Sequence, residues 1–228
     1  MRGYFHGRLC AGVAIISKGR AMTDQDREAR LDRLLDRTEI YDLVRWERFC
    51  RDQRDWPGLL ACYVPGAPVR TSWYDGDIAG FVEQSREKML KGSSGKHWIM
   101  PAMHRIKDDR GIVESPAFIY DRLTFDGIEF DFHQYCRFFS RLRRTEEGWR
   151  LASFEGIYQR DNLQCTDPRN PLPVDWDIVK TLRPSYRFMG YTQLKRGYTL
   201  NPELIGDDRP DLVQAFYAAE RRWLETGE

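Results

Sequence analysis

No run of apolar residues in this chain approaches the length that spans a bilayer, and no pair of cysteines has the spacing of a redox or zinc motif. Cys10, Cys50, Cys62, Cys136 and Cys165 are scattered and odd in number, so neither a disulfide framework nor a structural zinc site is expected. The stretch 9–17 is short for a signal h-region and lacks a small-residue cleavage site, which leaves a cytoplasmic protein as the expectation. Charge of one sign is missing too. Lys and Arg number 36 against 35 for Asp and Glu, so no global field draws in nucleic acid or a membrane surface. Without G-x-G-x-x-G or a Walker sequence there is no standard cradle for a dinucleotide or a nucleoside triphosphate. Asp108, Asp109 and Glu114 lack ligating partners at useful spacing, and turn chemistry explains the first two; no metal and no other cofactor is expected.

What is present is a helical start and an extended middle, on a length of 228 residues that suits one large domain or a domain with an appendage. Leu31, Leu34, Leu35, Ile40, Leu43, Val44 and Phe49 recur at spacings of three and four, which predicts helix. Asp36 or Thr38 is placed to cap a second helix, and a third begins after Asp55 with Pro57 in its first turn. A short strand over 69–74 and a helix over 78–90 follow. From residue 97 the period turns to two, giving four strand candidates at 97–107, 112–125, 128–144 and 149–160. Asp126-Gly127 between two of them supplies the positive φ angles of a two-residue type I′ hairpin. Helices first and a long meander second predict the α+β class.

The third of these strands sorts its side chains into two sets. Phe130, Phe132, Gln134, Cys136, Phe138, Ser140 and Leu142 make the better core or pocket wall; Asp131, His133, Tyr135, Arg137, Phe139 and Arg141 lie opposite. One bulge would exchange the sets and bring Arg137 into a pocket, where it would bind an anionic or phenolic group. The basic strings 141–144 and 221–222 read as solvated faces. Near the C-terminus, Leu212, Val213, Phe216, Tyr217, Trp223 and Leu224 form a helical stripe that needs a surface to cover, either the mouth of a pocket or a neighbouring subunit.

Four local strings occur in order: Glu39-Ile40-Tyr41-Asp42-Leu43-Val44, then Asp52-Gln53-Arg54-Asp55-Trp56, then Met103-His104, then Gly148-Trp149-Arg150-Leu151. Together they resemble the SnoaL-like branch of the nuclear transport factor 2 superfamily over about residues 30–160. The resemblance implies an α+β cone, helices packed on a strongly bent antiparallel or mixed sheet with a pocket inside. With the patterns at the two ends, the chain is expected to divide into a disordered extension (1–22), a SnoaL-like domain (23–160) and a C-terminal arm with one or two helices (161–228). The resemblance also implies pairing through the sheet into a homodimer or higher oligomer.

In the dehydratase and dehydrochlorinase members, an aspartate four residues before the tryptophan orients a histidine that takes a proton from the substrate. Carried over by position, these are Asp52 and His104. A carboxylate that accepts one imidazole N–H fixes the tautomer and makes the other nitrogen a base useful near neutral pH. The plainer readings are a carboxylate capping the next helix for Asp52 and a strand histidine with a backbone partner for His104. The tyrosine that such members carry five residues before the aspartate is replaced by Glu47, leaving Tyr63, Tyr74 and Tyr120 as candidate substitutes. The leading expectation is a cofactor-independent lyase acting on a small aromatic molecule held by Trp46, Trp73, Tyr120 and Phe138, with a lignin-derived diaryl compound losing formaldehyde as the narrower case. A steroid or polyketide isomerase or cyclase using Asp52 as base, and a non-catalytic binding module, are the alternatives.

Overall fold

The computed structural model describes residues 22–228 apart from Lys91, Ser93 and Pro173. The expected extension over 1–22 falls, but for Met22, outside the described residues, as does Cys10. The chain forms two compact units, Met1–Leu35 and Asp36–Glu228. The described part of the first is the start of helix α1 (Asp24–Gln53), opened by a capping box in which the Thr23 hydroxyl accepts from Asp26 N–H and the Asp26 carboxylate accepts from Thr23 N–H, both at 3.1 Å. One helix of 30 residues replaces the two read from the sequence. No proline or glycine interrupts 24–53, and Asp36 instead turns its carboxylate to Arg144 and Trp149.

The second unit holds the rest of α1, helix α2 (Trp56–Ala61), the hairpin β1 (Pro68–Arg70) and β2 (Asp75–Asp77), and helix α3 (Ile78–Leu90). Arg54, at φ 67°, ends α1 in the left-handed region, and the Asp55 carboxylate caps α2 by accepting from Gly58 N–H at 3.0 Å. The meander follows: β3 (Lys96–Ile99), β4 (Met103–Lys107), β5 (Arg110–Phe125), β6 (Ile128–Thr145), β7 (Gly148–Leu151) and β8 (Phe154–Cys165). Asp126 and Gly127, at φ 51° and 76°, make the predicted hairpin between β5 and β6. The first and last of the four predicted strands are each broken in two, at Met100-Pro101-Ala102 and at Ala152-Ser153. Pro101 has no N–H to give a ladder, which accounts for the first break.

The sheet is mixed, ordered β2-β1-β8-β6-β5-β3, with β4 also on β5, β7 also on β6, and β1 running parallel to β8. The expected α+β class is therefore the observed one. On its inner face Val113, Ala117, Phe130, Phe132, Cys136, Phe138, Leu142 and Phe154 pack with Ile40, Cys50, Leu59 and Phe81 of the helices. The set of β6 side chains read as a core wall is that wall.

Past Cys165 the chain forms α4 (Trp176–Thr181), a 3-10 turn (Pro184–Tyr186), α5 (Arg187–Lys195) and α6 (Pro210–Thr226). The stripe on α6 is covered by its own chain: Trp223 and Leu224, with Val213, Phe216 and Tyr217 beside them, pack on Ile112, Phe139 and Ile157 of the outer sheet face. This settles Arg137 on the outer face. It donates to Glu114 at 2.9 Å and grips Asp207 with both terminal nitrogens, so it is an outer-face ion-pair residue and not a ligand of an inner pocket. Among the described residues no helix is long and apolar enough to cross a membrane.

Candidate active site

The buried stripe of α1 starts apolar and ends charged. Counting from Ile40 at helical spacing leads to Val44, then Glu47 and Arg48, then Arg51 and Asp52, and these four charged residues are 2 to 7% exposed. Burying four ionisable side chains on one helical face is costly unless they find partners. Glu47 and Arg48 find each other in a two-point ion pair, and the Tyr63 hydroxyl donates to Glu47 at 2.8 Å. Arg48 also lies over the rings of Phe154, 4.5 Å from the centroid, and Phe138, at 5.4 Å. Burial works against the Arg48 charge, but Glu47 outweighs it and raises its pKa, while burial and Glu47 push the Tyr63 phenol well above its ordinary value. Of the three substitute tyrosines, Tyr63 is the one at Glu47; Tyr74 bonds the Asp77 carbonyl, and Tyr120 pairs with His133 on the outer face of the sheet.

Asp52 meets a histidine, but not the one expected. Its Oδ1 accepts from His97 Nδ1 at 2.7 Å, its Oδ2 accepts from the His97 backbone N–H at 2.7 Å, and Lys96 Nζ donates to its carbonyl. An ionised carboxylate only accepts, so the neutral ring carries its proton on Nδ1 and its lone pair on Nε2. Burial opposes ionisation of Asp52, but the bonds from His97 prevail and its pKa is lowered. For His97 burial wins over the carboxylate, with Arg48 and Arg51 adding to it, and its pKa falls below the ordinary 6.5. The ring of Phe138 sits 5.8 Å from that of His97.

His104 stands elsewhere. Its Nδ1 donates to the Tyr41 hydroxyl oxygen at 3.3 Å, the same hydroxyl donating to the Ala102 carbonyl. Its pKa is lowered by burial and Arg37, with no contribution from Asp52. The register explains the separation. His97 pairs with Ile119 and His104 with Val113, six positions along β5 and about 20 Å apart. Tyr41 and Asp52 are eleven residues apart on α1, about 16 Å. The Asp52–His104 pair is thus replaced by Asp52–His97.

Of the expected aromatic walls, Phe138 lines the interior. Trp46 is 51% exposed, stacked on Phe49 along an open hollow of about 670 Å3 on the outward side of α1. Trp73 packs on Phe81 under Lys88, whose Nζ lies 4.0 Å from its ring centroid. Tyr120 joins Trp98 and Phe118 on the outer sheet face. The interior hollow, bordered by Glu47, Arg48, Ser115, Phe138, Ser140 and Phe154, measures about 10 Å3, room for one water. Among the described residues no group of three or more His, Cys, Asp or Glu side chains is placed to hold a metal ion.

A family model for the SnoaL-like domain matches residues 32–155, the span that supplies most of α1, Tyr63, His97 and Phe138. The chain belongs to the SnoaL-like family. Two proteins of Fusarium vanettenii are similar to the chain along most of their length: a PEP2-like protein, 28% identical over 85% of this chain and 88% of its own, and pea pathogenicity protein 2, 28% identical over 84% and 86%. A type 2 hexachlorocyclohexane dehydrochlorinase shares the fold with a TM-score of 0.54 at 13% identity, over 64% of this chain and 99% of its own. Membership of the SnoaL-like family places the chain in the superfamily that the four strings resemble.

Proposed function

We propose that this SnoaL-like protein is a cofactor-independent acid–base enzyme of the lyase type, in which His97 is the base and Asp52 its positioning partner. The observation that carries the reading is the two-point contact of one carboxylate with one histidine, side chain and backbone, inside a buried face. In the proposed step, Nε2 takes a proton from a carbon beside an electron-withdrawing group. The C–H pair becomes a C=C bond, a group on the next carbon leaves with its bonding electrons, and Asp52 stabilises the imidazolium until the proton passes on. The family resemblance and the elimination named for the dehydrochlorinase support this class; the aromatic substrate rests on Phe138 alone among the walls first expected. Screening compounds with a leaving group β to a carbonyl, with His97→Asn as control, tests it: turnover in the parent lost in the variant supports the reading, and equal turnover in both contradicts it.

The rate should follow the neutral form of His97. Because its pKa lies below the ordinary value, activity is expected to rise to its plateau with a midpoint under pH 6.5, and a pH profile with its midpoint above 7 would contradict the assignment. Stability follows the same sign. The unfolded chain binds the extra proton first, so His97 contributes stability above pH 6.5 that is lost as pH falls through the window below it.

A second reading, a non-catalytic module, draws on the 10 Å3 size of the interior hollow, which admits no substrate without movement of a side chain. Absence of turnover from the parent over the whole panel, with no effect of His97→Asn on ligand binding, would favour it.

The proposed partner is a second copy of the chain, meeting the outer face of β3, β5 and β6. There Trp98 is 63% exposed, and the rings of Phe118, Tyr120, His133 and Tyr135 continue the patch across the strands. Light scattering at micromolar concentration is expected to return a dimer or larger, and Trp98→Glu to lower that mass. A monomeric parent would contradict this.

A further inference from the structure

We infer that Arg51, with Lys88 beyond it, is an anion-recognition site beside the dyad, fitted to the carboxylate of a small organic acid. The inference rests on the acid–base reading above and names its substrate class. Arg51 is 6% exposed, yet among the described residues its guanidinium makes no hydrogen bond and no ion pair, and Nη1 is fully enclosed. Four other inward or half-buried guanidinium groups have carboxylate partners: Arg48 holds Glu47, Arg137 holds Glu114 and Asp207, Arg141 holds Glu220, and Arg183 holds Asp208, while the half-buried Arg187 leaves its Nε without one. An enclosed cation without a partner is a large expense for a fold to carry, which an anionic ligand removes.

Of the acids around Arg51, two are engaged by charged or ring partners, and the third, Asp121, favours the charge of both Arg51 and Lys88. Glu47 is taken by Arg48 and Tyr63, Asp52 by His97, and Asp121 accepts from the Ser94 hydroxyl at 2.6 Å. Lys88 adds a second cation that makes no ion pair among the described residues, held between the rings of Trp73, at 4.0 Å, and Tyr198, at 5.2 Å. Burial, then the charges of Arg196 and Arg51, push its pKa down to about 7; burial and Arg48 push Arg51 to about 10, still charged at neutral pH. Two cations from different helices, α1 and α3, repel each other, which a bound anion would relieve. The planar fork of a guanidinium matches a carboxylate in two parallel hydrogen bonds. Arg51 precedes Asp52 on α1, and Asp52 bonds His97, so an acid held at Arg51 would lie beside the dyad, with the guanidinium stabilising negative charge that develops on its oxygens.

Titration calorimetry at constant ionic strength with acetate and benzoate, against acetamide and benzamide, tests the site. The acids are expected to bind and the amides not to. Arg51→Met should weaken acid binding at least tenfold and raise the melting temperature of the unliganded protein, which a merely structural arginine would lower. Lys88→Met should weaken binding severalfold, and gives a second readout if Arg51→Met fails to fold. His97→Asn should still bind the acids, so loss of the base and loss of the anion site are told apart. Equal binding of acids and amides, no binding of either acid, or undiminished binding in both cation variants would overturn the inference.

Discussion

His97→Asn is expected to abolish most proton-transfer turnover, by about a hundred- to ten-thousand-fold, the range a positioned general base supplies. Asparagine places an amide N–H near where Nδ1 stood, so Asp52 keeps a partner and the fold should melt close to the parent. His104→Asn makes the informative contrast. That side chain bonds Tyr41 at the other end of the inner face, and its loss should leave turnover within about threefold, since it never meets the reacting atoms. Should His104→Asn prove the damaging change and His97→Asn the mild one, the dyad assignment would fall and the position first carried over from the family strings would return.

The second large effect is on stability. Glu47→Ala leaves Arg48 enclosed without its counter-charge and removes the acceptor of Tyr63. Breaking a buried pair from one side costs about 3 to 5 kcal/mol, which for a chain of this size lowers the melting temperature by roughly 6 to 20 °C. Replacing both partners, as Glu47→Met with Arg48→Leu, should recover most of that loss, because the enclosed charge is gone along with its partner. Calorimetry of the single and double variants checks it. A single variant that melts with the parent would mean that the pair is not buried in solution.

How much of this was readable beforehand follows from which signals are local. Helix α3, the cap of α2 by Asp55 and the hairpin at Asp126-Gly127 are each decided within a few residues, and each stands where the sequence put it. The alternation of β6 was also decisive. Phe138 and its neighbours line the core, while Arg137 went outward once α6 and Asp207 were there to receive that face. The long helix α1 was misread as two because a residue able to cap need not do so when the chain on both sides continues the helical face.

The histidine was missed for a reason of register. In one unbroken strand His97 and His104, seven apart, would point to opposite faces, and only one could be inward. The break at Met100-Pro101-Ala102 resets the alternation, so both point inward at different ends, and Asp52 at the end of α1 reaches the nearer. The signal that could have found it lay in Pro101, which argues against a single strand over 97–107. The charged stretch had its own signal: continuing the Ile40 stripe at helical spacing lands on Glu47, Arg48, Arg51 and Asp52, so the face that carries the core also carries the site.

The most direct measurement is nitrogen-detected NMR titration of the His97 ring in the parent and in Asp52→Asn. The account predicts a neutral ring protonated on Nδ1 with its lone pair on Nε2, a pKa below 6.5, and a further drop when the carboxylate that supports the imidazolium is gone. A ring protonated on Nε2, or a pKa that Asp52→Asn leaves unmoved, would contradict it.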